Sequence, residues 1–407
     1  MSSRVMVVAG GGAAGFFGAI AAAEHAPGAE VVLLEKSPEL LAKVTLSGGG
    51  RCNVTHHCFE VARLIQSYPR GGRELQGPFH RFQPRDTVEW FESRGVPLKV
   101  EEDGRMFPVS NRSSSIVEAL TTAARDAGVK VVTSCGVEAL AARPGGGFQL
   151  TLSSGEAMAC DRLLVASGGN KNTAGYRLAA SVGHTIEPPV PSLFTFNIED
   201  PSLQALAGIA VPDAQVTAPA QKLVQRGPLL ITHWGLSGPA ALKLSSWGAR
   251  AFADADYTFE LNVCWQRMTR EDLAEALEQM RKSNPVRGVL SGGVLEVPNR
   301  LWEWLCGRAG IDIRDQWARL SKVQAARLVN EVTCCRLAVT GKSMFKEEFV
   351  TCGGVRLSEV NFKTMESKRC PGLHFAGEVL DIDAVTGGFN FQAAWTTGYL
   401  AGLAMSG

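Results

Sequence analysis

The chain lacks CxxC spacing, although it carries ten cysteines in 407 residues, and two of these, Cys334 and Cys335, are adjacent. That pattern suits neither a zinc site nor a small disulfide scaffold, so no metal is expected and a reducing cytoplasm fits best. There is no excess of charge of one sign: Lys plus Arg total 41 against 40 acidic residues. Without a general basic field, and without a basic stripe interleaved with aromatics, nucleic acid and anionic membrane are not expected partners. No run reaches the roughly 18 uninterrupted apolar residues of a membrane span. Internal repeats and low-complexity linkers are absent too. The N-terminus, with Arg4 before an apolar run, superficially resembles a signal peptide, but glycines interrupt the run. These absences leave a small-molecule substrate as the expected partner. They do not separate a monomer from a homodimer.

Glycine is what the chain has in quantity, with 44 residues against a usual share of about 7%, so many tight backbone approaches are expected. The length exceeds that at which one core usually stops growing, which calls for two domains or one with a large insertion.

Residues 4–9 (RVMVVA) form an apolar run ending in Gly10, Gly11 and Gly12. An alanine-rich helical stretch continues to about His25, and a second apolar run, EVVLLE, covers 30–35. Strand, glycine turn, helix, strand is a βαβ unit. Further along, Asp103-Gly104 sits between alternating apolar positions as a two-residue hairpin turn would, and Ser115 with Glu118 reads as a capping box opening a helix toward Ala127. From 136 to 167 the pattern is a small β-meander leading into LLVAS. After Pro188, Pro189 and Pro191 the character changes: strands such as LFTFNI and YTFELNV mix with helices at about 237–250, 270–283 and 299–309, with Thr269 and Asn299 as N-caps. The end returns to strand, glycine turn and helix. An inserted domain therefore interrupts the first.

Gly10, Gly12 and Gly15 satisfy GxGxxG. The first glycine permits the tight turn, the second lets a pyrophosphate approach the backbone, and the third brings helix and strand together. The helix N-terminus, including Ala13 and Ala14, then offers N–H groups and partial positive charge to phosphates. Glu35 ends the second strand twenty residues after Gly15, where a carboxylate accepts hydrogen bonds from both ribose hydroxyls and repels a 2′-phosphate. Lys36, Lys43 and Val137 are further expected cofactor contacts.

Three further clusters select FAD over NAD, because FAD must be gripped along its ribityl chain and ring. SGGGRCN supplies Ser47, Gly48, Gly49, Gly50, Arg51, Cys52 and Asn53. LLVASGGN supplies Ala166, Ser167, Gly168 and Gly169. FAGEVLDIDAVTGGFNFQAAW supplies Gly377, Glu378, Asp383, Gly387, Gly388, Phe389, Asn390 and Gln392. In the last cluster Glu378 is placed to bond a ribityl hydroxyl, and the turn at Gly387-Gly388 opens a helix whose N-terminus faces the flavin N1 and C2 carbonyl, favouring the reduced state. For Asn390 and Gln392, capping and surface hydrogen bonding is the competing expectation. Cys52, with no CxxC partner, reads as a small packed residue beside flavin rather than a redox thiol.

The ordered combination of GGGAAG, KVTLSGGGRCNVT, THWGLSGP at 232–239, and TMES followed by PGLHFAGEVLDIDAVTGG resembles the BaiN/YhiN-like FAD flavoproteins. These belong to the glutathione-reductase-like superfamily and include proteins assigned as aminoacetone oxidases and as reductases of bile-acid intermediates. The resemblance spans nearly the whole chain. It departs from the pattern at His56, where many members carry Asn, and at Ala384, where many carry Gly; the first bears on the substrate side. It implies an α/β fold: a Rossmann-type, two-dinucleotide-binding-domain flavoprotein in which residues 1–190 and 349–407 form a discontinuous FAD-binding domain. Residues 191–348 would be an inserted mixed β/α, β-barrel-like and helical domain that covers the flavin face and supplies substrate contacts.

His233, in THWGLSGP, is then a proton donor or acceptor, with satisfaction of a strand end and capping by Ser237 as the bland alternative. Arg51 offers charge to phosphate or substrate, and Asp381 is a base or a loop cap. Trp302-Glu-Trp304 sits in a helical pattern and reads as core packing. The expected activity is hydride transfer through flavin N5 on a small organic substrate. It would be either amine oxidation, with oxygen reoxidising the flavin, or NAD(P)H-dependent reduction of an unsaturated compound. With one GxGxxG there is no dedicated nicotinamide domain, so NAD(P)H would be a transient donor. The competing class is a non-catalytic flavin-binding sensor or scaffold, and a flavin-dependent RNA modifier is disfavoured by the charge balance.

Overall fold

The computed structural model describes residues 4–169, 173–291, 294–343 and 350–407. The chain divides into two compact units, Met1–Pro191 with Phe345–Gly407, and Ser192–Met344. The expected boundary at 348–349 lies outside the described residues, as does Asn170 at the end of LLVASGGN.

In the first unit, β1 (Val5–Ala9) leads through a glycine turn into α1 (Ala13–His25) and on to β2 (Glu30–Leu34). β3 (Lys130–Val132), β4 (Arg162–Val165) and β5 (Leu373–Phe375) join them, and α2 (Phe389–Ser406) closes the chain. The sheet runs β5, β4, β1, β2, β3 with every neighbouring pair parallel, extended beyond β5 by the short antiparallel strands Glu366–Ser367 and Val360–Asn361. In β1 and β2 all but the first residue are buried, as continuous Val/Leu/Met runs covered on both faces must be. Each such side chain contributes about 1.5–3 kcal/mol relative to exposure.

Both α1 and α2 are apolar on nearly all sides, and both are sunk in the core. They touch through glycine: a Cβ on Gly398 would strike the Ala14 carbonyl, and one on Gly402 the Gly18 carbonyl. This contact joins the N-terminal and C-terminal ends of the chain. Val137–Ala142, Phe148–Leu152 and Ala157–Cys160 form an antiparallel meander whose central strand alternates buried and exposed residues.

The second unit is a seven-stranded sheet, antiparallel at each described pairing and flanked by helices, with its own core around Phe194, Phe196, Phe252, Phe259, Trp265 and Trp317. Thr269 caps Arg270–Ser283, its side chain accepting from the Asp272 N–H. Four local expectations change. The cap before Asn299–Arg308 is Pro298, so Asn299 is the first helical residue. Gly238 rather than Ser237 precedes Pro239–Trp247, and that helix breaks at Gly248 before a second one, Ala249–Asp254. The helix expected from Ser115 begins at Ser113, because the Ser113 hydroxyl is held by the Thr45 carbonyl at 2.9 Å and Ser115 bonds Ser110. The hairpin expected to turn on Asp103-Gly104 uses the whole of Glu101–Gly104, with strands Leu98–Val100 and Arg105–Pro108 on either side.

Candidate functional site

The C-terminal ends of β1, β2, β4 and β5 emerge along one edge of the first unit's sheet. Between β1 and β4 the connections reverse direction, one leading outward to β2 and the other toward β5, and such a reversal opens a crevice. Gly10 and Ala166 leave the two strands there, so close together that a Cβ on Gly10 would strike the Ala166 carbonyl. Gly15 is equally constrained, against the Gly10 carbonyl. Gly12 is the exception. Its backbone is extended (φ −92°, ψ −171°), and a Cβ there would meet nothing within 4 Å. No neighbour among the described residues requires glycine at this position, whereas close approach of a pyrophosphate does. Ala13 and Ala14 follow in the first turn of α1, which has no capping side chain and no acidic residue. Its first N–H groups are therefore available to an anion.

Glu35 leaves β2 beside this turn. One carboxylate oxygen accepts from the Gly11 N–H at 2.7 Å and the other from the Ser37 N–H at 2.9 Å. Each oxygen has further lone-pair capacity for a ribose hydroxyl. Lys36 packs beside Gly136, next to the buried Val137.

The SGGGRCN segment begins inside a helix, Ala42–Gly50, that breaks at Ser47. Ser47 is extended, while Gly48, Gly49 and Gly50 all have positive φ. Gly48 is closed in by Phe107, but Cβ atoms on Gly49 and Gly50 would meet open space. Arg51 lies over the Phe107 ring at 4.0 Å and donates to Glu101 at 2.6 Å. Cys52 is fully buried, and burial pushes its thiol up to about 12 against a Ser47 hydrogen bond. It stays protonated and serves as packing. With its amide oriented to satisfy both ends, Asn53 accepts from the Gly388 N–H at 3.0 Å and donates to the Thr55 carbonyl at 3.2 Å.

That bond ties SGGGRCN to the start of α2, which like α1 begins at a glycine without a capping side chain. Gly388 (φ +88°) cannot carry a Cβ without striking Thr55 backbone, and Gly387 faces His56. His56 stacks on Phe389, ring centres 4.5 Å apart and planes 19° apart, and Tyr68 donates to the Phe389 carbonyl at 2.7 Å.

Asn390 is part-exposed and Gln392 fully buried, and the side chains of both bond to groups of the fold. Asn390 clamps both backbone groups of Ala384, at 2.9 and 3.1 Å. Gln392 is fully buried, its carbonyl oxygen accepting from Thr55 at 2.6 Å and Thr87 at 2.9 Å. Asp383 is also fully buried, its carboxylate bound by both ends of the Arg70 guanidinium fork. Asp381 stands part-exposed two residues earlier.

At the end of β4, Ser167 accepts from Thr173 at 2.9 Å, and a Cβ on Gly168 would meet open space. Gly169 packs on Thr351 and Glu378. Gly377 packs on Ala14. The Glu378 carboxylate takes N–H bonds from Thr351 at 3.0 Å and Gly169 at 3.4 Å, and Lys43 pairs with it at 2.5 Å. Tyr176, in the helix after this loop, buries a hydroxyl with no hydrogen-bond partner among the described residues, and burial, with Glu378 and Asp381 adding, pushes its pKa up. His233 belongs to the second unit, exposed at the turn between Leu223–Thr232 and Gly235–Ser237.

The first unit thus brings all but one of the expected site residues onto a single body, His233 being in the second. Arg70, Glu101, Phe107, Thr351 and Tyr176 were not foreseen. No local pattern marks them: Arg70 meets an aspartate 313 positions away. The residues fit a dinucleotide: two uncapped helix N-termini for anionic groups, a carboxylate at the second strand, and a glycine at position 12 that the fold itself does not need.

The HI0933-like protein Rossmann domain family matches residues 4–404. The chain is 29% identical to the 3-dehydro-bile acid delta(4,6)-reductase of Clostridium scindens over 99% of its own length and 98% of that protein. It is 30% identical to the ribosomal RNA dihydrouridine synthase of Haemophilus influenzae, over 98% of each chain. Among solved structures, the 3-ketosteroid-delta4-(5alpha)-dehydrogenase of Rhodococcus jostii shares the fold at a TM-score of 0.52 and 15% identity, over 100% of this chain and 98% of that one.

Proposed function

Because this chain belongs to the HI0933-like Rossmann family and is an FAD-dependent oxidoreductase, we propose that it reduces an activated carbon–carbon double bond in a small organic molecule, with NAD(P)H as transient donor. The observation that carries the reading is the pairing, on one unit, of the open Gly12 turn with the uncapped start of α2 at Gly388. The direction, reduction rather than amine oxidation, is supported by the reductase and dihydrouridine synthase names of the relatives.

FAD, when bound, supplies hydride acceptance and donation at its ring. The amides of Gly12, Ala13 and Ala14 would hold its pyrophosphate, Glu35 the ribose, and the Gly388 end of α2 the electron-rich edge of the ring. Arg51, kept planar on Phe107 and paired with Glu101, would bind an electron-withdrawing oxygen of the substrate. Reduction of a polarised double bond also needs a proton at the second carbon. Asp381, on the same unit as the glycine turns, is assigned as the group that delivers it.

The test is anaerobic stopped-flow. NADPH or NADH should bleach the flavin band, and a small enone should restore it faster than oxygen does. Bleaching by an amine, with fast reoxidation by oxygen only, would overturn the proposal. A second reading, reduction of uridine within RNA, is favoured by one feature of the second unit. This is a groove of about 650 Å³ lined by Arg308, Lys322 and Arg327 against one acid, Glu331. Restoration of the band by RNA and not by the enone would select it.

A further inference from the structure

In the second unit, strands Phe259–Cys264 and Cys335–Val339 pair antiparallel, and the last paired residues are Val263 and Cys335. Cys264 and Cys334 are the next residues on either side of that pair, Cys264 still in its strand and Cys334 in the turn that follows helix Lys322–Thr333. Val263 and Cys335 are buried, whereas Cys264 and Cys334 are both part-exposed, as alternation across a strand requires. On its other side Cys264 is level with Gln215, which is level with Arg226. The two thiols therefore end a cross-strand row on the more open face. The charges acting on Cys264 are those of this row and its neighbours: Arg226, Cys334 and Asp213. Extending the register by one residue brings the two Cα atoms toward the about 4.5–5.5 Å of an opposed antiparallel pair, inside the range of roughly 4.4–6.8 Å that a disulfide spans.

We propose that Cys264 and Cys334 form a reversible intramolecular disulfide, a peroxide-sensitive modification site on the second unit. The Cys334 thiolate attacks one oxygen of hydrogen peroxide, the O–O bond breaks, and water leaves with the displaced oxygen, giving a sulfenic acid. The Cys264 sulfur then attacks the sulfenic sulfur; the S–S bond forms, the S–O bond breaks, and a second water departs. Two thiols lose two electrons in all, and one peroxide becomes two waters. Cys264 is the resolving partner because burial raises its thiol, and its bond to the Gln266 carbonyl must be released first. Other cysteines are poorer targets: Cys160, Cys306 and Cys335 are buried and pushed up to about 12.

The bond would close a long loop and fix the end of helix Lys322–Thr333, where the Cys334 N–H meets the Asn330 carbonyl at 2.8 Å. That helix lines the groove that holds Arg308, Lys322 and Arg327. The test uses the full chain treated with a slight excess of hydrogen peroxide. Free thiols should fall from ten by a pair, and the mass by about 2 Da. Non-reducing peptide mapping should link the Cys264 and Cys334 peptides, dithiothreitol should reverse the change, and Tm should rise by roughly 5 °C or more. Cys264→Ser and Cys334→Ser should each abolish the link. A Cys334–Cys335 bond, a link to any other cysteine, single-site sulfinic acid without a link, or an unchanged thiol count would overturn the proposal.

Discussion

Gly12 and Gly15 stand three residues apart in one motif but answer to different demands. A methyl group on Gly15 meets the Gly10 carbonyl, and overpacking of that kind costs typically about 1–3 kcal/mol. A methyl on Gly12 meets open space, and its effect on the fold is limited to a poorer helix cap, about 1 kcal/mol or less. Gly15→Ala should therefore lower the Tm of the cofactor-free protein. Gly12→Ala should leave it nearly unchanged while weakening FAD binding by about tenfold or more. Thermal melts beside flavin titrations separate the two, and equal Tm losses would mean that Gly12 is a packing residue. Arg70 and Asp383 make a second prediction. Removing one partner of a buried pair leaves an uncompensated charge and costs about 3–5 kcal/mol. Arg70→Met should destabilise strongly, and Arg70→Met with Asp383→Leu should recover part of the loss in denaturant unfolding; no recovery would show that the Arg70 stem, not its charge, matters.

Between elements, the network around Glu359 fastens strand Glu366–Ser367 to the turn at His184. Glu359 accepts from the Thr185 N–H and hydroxyl, both at 2.9 Å, and from Arg369 at 2.6 Å, while His184 bridges Glu359 at 3.0 Å and Ser367 at 2.7 Å. Burial alone would raise the Glu359 carboxyl, but the Arg369 and Thr185 bonds outweigh it and hold it at about 2, below the ordinary 4.5. Burial lowers His184 below 6.5 against the pull of Glu359. Both signs point the same way. The unfolded chain binds protons that the folded network refuses, so stability is present at neutral pH, declines once pH falls below 6.5 as His184 is protonated in the unfolded chain, and declines further from 4.5 toward 2. Glu359→Gln should flatten the acid part of a Tm-versus-pH curve; an unchanged slope would place the acid sensitivity elsewhere. This network was not legible in the sequence because its bonded partners are up to 183 positions apart. The parallel strands and the glycine turns were legible, since continuous Val/Leu runs and GxGxxG are local signals. Helix starts were less so: the Ser113–Thr45 bond set the beginning of Ser113–Asp126 from outside the helix. The bonds of Gln392 to Thr55 and Thr87 were not legible because those partners lie more than 300 positions away. Trp302 is core, as its helical spacing implied, with its indole bonded to the Val289 carbonyl.

Across the whole molecule, the near-balance of charge carries no long-range field, and no described helix is long and apolar enough to cross a membrane. What organises the first unit is the crossing of α1 and α2 through Gly398 and Gly402, which brings the start and the end of the chain onto one sheet edge. The central claim is that one dinucleotide uses both helix starts. The most direct measurement is a crystal structure of the protein purified with its flavin. The pyrophosphate should lie within hydrogen-bonding distance of the Gly12 to Ala14 amides, with the ring edge at the Gly388 amide. A flavin that contacts only one of the two helices, or FMN in place of FAD, would contradict it.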